Sequence, residues 1–171
     1  MYIKYERYLL DTNFFIQAHR SYYPLDVVES FWIRTKELAR NGDIISIDKV
    51  KKEIYDKSSH EDELKLWCID NLEDQFFHPT DEALPQYIQI VQWVNSMRNQ
   101  YHDSAIEEFL QTDLADPWLV AYAIKLNLVI VTYEKSSPGA KKRVKIPEVC
   151  NHFGVRFVDT IEMMRELNSK F

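Results

Sequence analysis

The sequence predicts an α/β protein, a three-layer sandwich with a central, mainly parallel sheet and a helix-rich middle segment. Three observations predict it. Near-continuous apolar runs such as Leu128-Val129-Ile130-Val131 suit strands buried on both faces. Helical periodicity separates those runs, the alternation that builds βαβ units. Only 3 glycines and 6 prolines interrupt 171 residues, which favours helices joined by short loops over a turn-rich all-β design.

A first strand is expected over 7–10, ending at Asp11. Residues 24–40 put Val27, Val28, Phe31, Trp32, Leu38 and Ala39 at helical spacing, and Asn41-Gly42 stops that helix. A second strand follows at 43–47, with Asp48 a candidate N-cap for the helix that carries Glu53. From 58 to 111 the pattern is mainly helical, over 60–72, 81–98 and 102–110, with Pro79 and Pro85 as punctuation. Asp116-Pro117 opens the next helix with Pro at its first position, where a missing N–H costs nothing, and Asn127 ends it. Then come a strand at 128–132, a helix at 146–153 stopped by Gly154, and a last strand at 155–158. Thr160 is expected to cap a C-terminal helix over 161–168. The chain 1–171 thus predicts a single domain with a helical elaboration over roughly 58–111.

Composition excludes several classes. No apolar run approaches the ~18 residues a membrane helix needs, and Met1-Tyr2-Ile3-Lys4 leads straight into strand-like sequence, so a cytoplasmic protein is expected. Cys68 and Cys150 have no C-x-x-C spacing and suit buried thiols in a reducing compartment. His19, His60, His78, His102 and His152 lack zinc-like spacing. The net charge of −6 is no basic footprint for nucleic acid. Charge is uneven, however: Lys141, Lys142, Arg143 and Lys145 cluster in one loop, and Lys49, Lys51 and Lys52 lie beside Glu53. Such runs are ordinary solvated faces unless they flank a phosphate site.

Four acids carry the chemistry. Asp11 and Glu134 follow strands, while Glu53 and Asp116 lie on helices. A parallel sheet gathers such positions beyond the carboxyl ends of its strands. Two of them have ordinary alternatives, Glu53 as a surface glutamate and Asp116 as a helix cap, and nearby Asp113 reads as a solvated loop acid. Converging carboxylates repel one another and call for a cation, and hard oxygen ligands suit Mg²⁺ or Mn²⁺. Trp32, Trp67, Trp93 and Trp118 fall on apolar helical faces and read as core, whereas Tyr22, Tyr23 and Tyr133 are closer to the expected cleft.

The motifs around these acids resemble the PIN-domain family of metal-dependent ribonucleases over nearly the whole chain. They are Leu9-Leu10-Asp11-Thr12-Asn13, Ser46 through Ile54 with Glu53, Ala115-Asp116-Pro117-Trp118 running to Ala123, and Val129 through Glu134. Lys145 through Cys150, followed by Val155 to Asp159, resembles a particular toxin-type branch of that family. The resemblance implies an endoribonuclease in which Asp11, Glu53, Asp116 and Glu134 bind Mg²⁺ or Mn²⁺ and activate water. It gives Thr12, Asn13 and Thr132 the role of orienting the first acid. Glu134 stands where the family more often has Asp. RNA is the implied substrate, with Lys141, Lys142, Arg143 and Lys145 expected to contact it. An antitoxin is the implied protein partner, and a homodimer is a further expectation.

Two alternatives belong to other classes. A haloacid-type phosphatase would use Asp11 as nucleophile but wants a second Asp at position 13, which is Asn. A non-catalytic PIN-like module would bind RNA or a protein without cleaving, though such modules usually lose one of the acids.

Overall fold

The computed structural model describes residues 6–56 and 62–171. Tyr8–Leu10 forms β1, three consecutive buried side chains that only a central strand covered on both faces could hide. It pairs in parallel with β2 (Ile44–Ile47) on one side and β4 (Val129–Val131) on the other. The edges are β3 (Phe77–His78) and β5 (Phe157–Val158), giving the order β3-β2-β1-β4-β5, parallel throughout. Ser46 is a polar residue inside buried β2, and its hydroxyl donates to the Leu10 carbonyl at 2.7 Å, which removes the cost of burying it.

Helices flank this sheet in a three-layer α/β sandwich: α1 (Thr12–Gln17), α2 (Glu29–Asn41), α3 (Asp48–Asp56), α4 (Glu63–Asn71), α5 (Leu84–Ser96), α6 (Asp103–Phe109), α7 (Ala115–Leu126), α8 (Ile146–Phe153) and α9 (Thr160–Glu166). Among the described residues no helix is long and apolar enough to cross a membrane. Cys68 and Cys150 are buried free thiols, and desolvation pushes both up.

Several expected boundaries move. The helix expected from residue 24 begins at Glu29, because the Val27 and Val28 amides bond back to the Pro24 carbonyl in a turn. Val27, expected on the core face, is exposed instead. Pro117 is the third residue of α7, not the first; the first turn has no intrahelical partners for its amides, so proline remains free of cost there. Asp48 is the first residue of α3, its carboxylate accepting from the Lys49 amide and the Thr80 hydroxyl. Asp159, not Thr160, caps α9 by accepting from the Glu162 amide at 2.9 Å. The segment expected from 60 starts as α4 with Asp62 as its cap, while His60 and the first residues of that expectation lie outside the described residues. Asn127 and Gly154 terminate α7 and α8 in the left-handed conformation, as expected. Strand β3, α1 and the π-helical turn Ala18–Tyr22 have no counterpart in the sequence reading.

Candidate functional site

The central pairing of β1 with β4 sets Leu10 opposite Val131, so the residues that follow emerge side by side at the carboxyl edge of the sheet. Asp11 is 1% exposed, which matters because an isolated buried carboxylate is costly. Thr132 meets part of that cost by donating its hydroxyl to Asp11 Oδ2 at 2.8 Å, while Thr132 Oγ1 itself accepts the Glu134 amide at 3.1 Å. Burial, and then the charges of Glu134 and Glu53, still push the Asp11 carboxyl up to about 7, against the hydrogen bonds from Thr132 and the Asn13 amide.

Glu53 reaches across from α3. Its Oε2 accepts the Thr12 hydroxyl at 2.6 Å, and its Oε1 accepts the Ala115 amide at 3.0 Å. Ala115 is the first residue of α7, whose N-cap residue Leu114 offers no side-chain acceptor. A glutamate from another helix therefore fills the capping position, where the helix dipole favours an anion. Glu134 does the same for α8: its Oε2 accepts the Ile146 amide at 2.8 Å, and its Oε1 pairs with Arg143 Nη2 at 3.0 Å.

Asp116, in the first turn of α7, is pushed well above the ordinary carboxylate range by burial and then by the charges of Asp11, Glu134 and Glu53. Arg143 is the cation that opposes this. The four acids thus act on one another electrostatically, and Asp11, Glu53 and Asp116 line a single cavity of about 320 Å³ together with Thr12 and Asn13. Glu134 is not part of that lining, and its carboxylate is turned to α8 and Arg143. Among the described residues, no three His, Cys, Asp or Glu side chains come close enough to hold a metal ion between them.

The donor set nevertheless suits a hard divalent cation. It offers only carboxylate oxygens, and Asp11 and Asp116 are both destabilised by neighbouring negative charge that such an ion would neutralise. Those two residues would hold it, with Glu53 and Glu134 supplying further negative charge.

The basic loop divides. Arg143 lines the cavity, whereas Lys141 and Lys142 are exposed outside it and Lys145 is tied toward the Lys135 carbonyl at 3.4 Å. Lys49, Lys51 and Lys52 pair with Asp48, Asp74 and Asp113, which makes Asp113 a surface partner. Three charged contributors have no counterpart in the sequence reading: the acids Asp62 and Glu108, and Arg20, exposed on the cavity wall with no ion pair among the described residues. A signal existed for Arg20. Asn13, Ile16 and Arg20 recur at spacings of three and four after Asp11, which places them on one helical face, and all three line the cavity.

A family model for DUF4411, a domain of unknown function, matches residues 8–171. The chain belongs to this family. A search of curated proteins gives no significant match. Among solved structures, the chain is similar to one described as VapBC2 from Rickettsia felis bound to a DNA fragment from their promoter, at 16% identity and a TM-score of 0.45, covering 89% of this chain and 97% of that one. For the DUF4411 chain, the site rests on its own geometry.

Proposed function

We propose that this DUF4411 protein is a metal-dependent endoribonuclease whose site is the carboxylate cavity at the sheet edge. The observation that carries the reading is the pair Asp11 and Asp116. Both are held at raised pKa by burial and mutual repulsion, beside a cavity with two arginines on its wall. A fold keeps such a destabilising arrangement when function needs it. Bound Mg²⁺ or Mn²⁺ supplies Lewis-acid polarisation of a phosphodiester and acidifies water.

The chain's own residues do the rest. Thr132 orients the Asp11 carboxylate, Thr12 and the Ala115 amide fix Glu53, and Arg20 and Arg143 offer guanidinium forks to phosphate oxygens. The resemblance of the motifs to toxin-type PIN proteins extends the reading to the toxin of a toxin–antitoxin pair, a single cytoplasmic domain with an antitoxin as partner and a homodimer as its state.

A second reading has its own support. Glu53 and Glu134 are both used as helix caps, and among the described residues no three acids come close enough to hold one metal ion, as a non-catalytic PIN-like module would allow. Incubating the protein with single-stranded RNA and Mn²⁺, with and without chelator, separates the two. The nuclease reading expects chelator-sensitive cleavage that Asp116→Asn abolishes. RNA that stays intact at high enzyme and Mn²⁺ would leave the binding module.

A further inference from the structure

An aromatic stack joins the loop after β4 to the π-helical turn that carries Arg20, and neither of its rings lines the carboxylate cavity. Tyr22 and Tyr133 lie 5.0 Å apart between ring centroids with planes only 16° from parallel. Tyr22 is 55% exposed, an unusual place for a large ring, while Tyr133 is half-buried and Tyr23 turns inward to stack on Phe31 at 4.3 Å. Both chains of the stack are tied to the site. Tyr133 sits between Thr132, which holds Asp11, and Glu134, whose charge acts on Asp11 and Asp116. Tyr22 is two residues from Arg20, which lines the cavity in the same π-helical turn. Two residues of chain span at most about 7 Å, so the backbone of Tyr22 lies within that reach of the backbone of Arg20 on the cavity wall.

Resting on the nuclease reading, we propose that the Tyr22–Tyr133 stack is a nucleobase platform that selects an unpaired base next to the phosphate held at the carboxylate cavity. The Tyr133 ring supports Tyr22 on one side and Tyr23 lies tilted 45° at 6.2 Å, while more than half of Tyr22 stays exposed, and a flat base stacks on an exposed ring face whatever its sequence. Asp159, the acid whose charge reaches Tyr133, is paired with Lys135 at 3.7 Å, which limits repulsion of the backbone there. A duplex cannot present a base face to this platform without unstacking it, so the substrate is single-stranded RNA or the loop of a folded one.

The test is binding of a short single-stranded oligoribonucleotide carrying 2-aminopurine, in Ca²⁺ with Asp116→Asn present so that no cleavage intervenes. Tyr22→Leu, which keeps apolar cover but loses the π-face, should weaken binding roughly 5- to 100-fold and abolish the stacking-dependent fluorescence quench. Tyr22→Trp should restore both, and duplex RNA of the same sequence should bind equally to all three proteins. Unchanged affinity and quench in Tyr22→Leu, with thermal unfolding like its parent, overturns the platform. If Tyr22→Leu fails to fold, Tyr22→Trp with weaker quench than its parent overturns it as well. Cleavage by the otherwise wild-type enzyme is measured in parallel: RNA cut by a Tyr22-independent enzyme sinks the platform alone, whereas neither cutting nor binding sinks the nuclease reading with it.

Discussion

The carboxylate of Glu53 caps the helix that begins at Ala115, accepting that residue's amide at 3.0 Å. The acid on α3 thereby fixes where Asp116, one residue later, enters the cavity. Glu134 repeats the relationship with Ile146 at the start of α8. Two of the four acids thus have structural partners as well as a candidate chemical role, and substitution can separate the two.

Glu53→Gln keeps an oxygen for the Ala115 amide, whereas Glu53→Ala removes both acceptors. Loss of a cap costs about 0.5–2 kcal/mol, so urea unfolding of the metal-free protein should show Glu53→Ala destabilised by that amount and Glu53→Gln by less. RNA cleavage should be lost in both if Glu53 serves the cation. Full activity in Glu53→Gln would confine the residue to capping.

Asp11→Asn removes a buried charge while keeping the side chain's shape and one acceptor oxygen. Relief of repulsion with Asp116 should raise the Tm of the metal-free protein and abolish cleavage together. A lower Tm would mean that the hydrogen bonds to Asp11 outweigh its burial cost.

Stability should depend on pH in an unusual direction. The folded state raises the Asp11 carboxyl from an ordinary 3.8 to about 7, and Asp116 moves the same way. Folding therefore favours the protonated acids, a contribution fully present below pH 3.8 and lost as pH rises through about 7. Between these limits, chelated protein should have a Tm that falls with rising pH, and saturating Mn²⁺ should flatten the slope by binding the ionised form. A Tm that climbs over this window would contradict the assignment.

Arg143 and its lysine neighbours should behave differently. Arg143→Ala removes a guanidinium from the cavity wall and the partner of Glu134, and should raise the Kd for RNA and reduce its salt slope by about one. Lys141→Ala and Lys142→Ala act outside the cavity and should change Kd much less. Equal effects from all three would point to a diffuse electrostatic surface, or to a loop that docks an acidic partner segment.

The sequence by itself determined a mainly parallel α/β sheet and four of its five strands, while the order of those strands came from the tertiary structure. Runs such as Leu128 to Thr132 are too apolar for anything but a strand covered on both faces, and Asn127, Gly42 and Gly154 stop helices for local steric reasons. It also determined which acids follow those strands, because Asp11 is the next residue after β1 and Glu134 lies three residues beyond the end of β4. Tertiary structure alone decided how those acids are used. That Glu53 caps α7 and Glu134 caps α8 depends on contacts 62 and 12 residues apart in the chain, and no local spacing encodes them. The same holds for the unequal placement of the basic loop and for the stack of Tyr22 on Tyr133, since side chains distant in sequence meet only after the sheet has fixed where each loop emerges. Edge strand β3, two residues long, was illegible for the opposite reason: its pairing with β2 supplies order that so short a segment cannot specify.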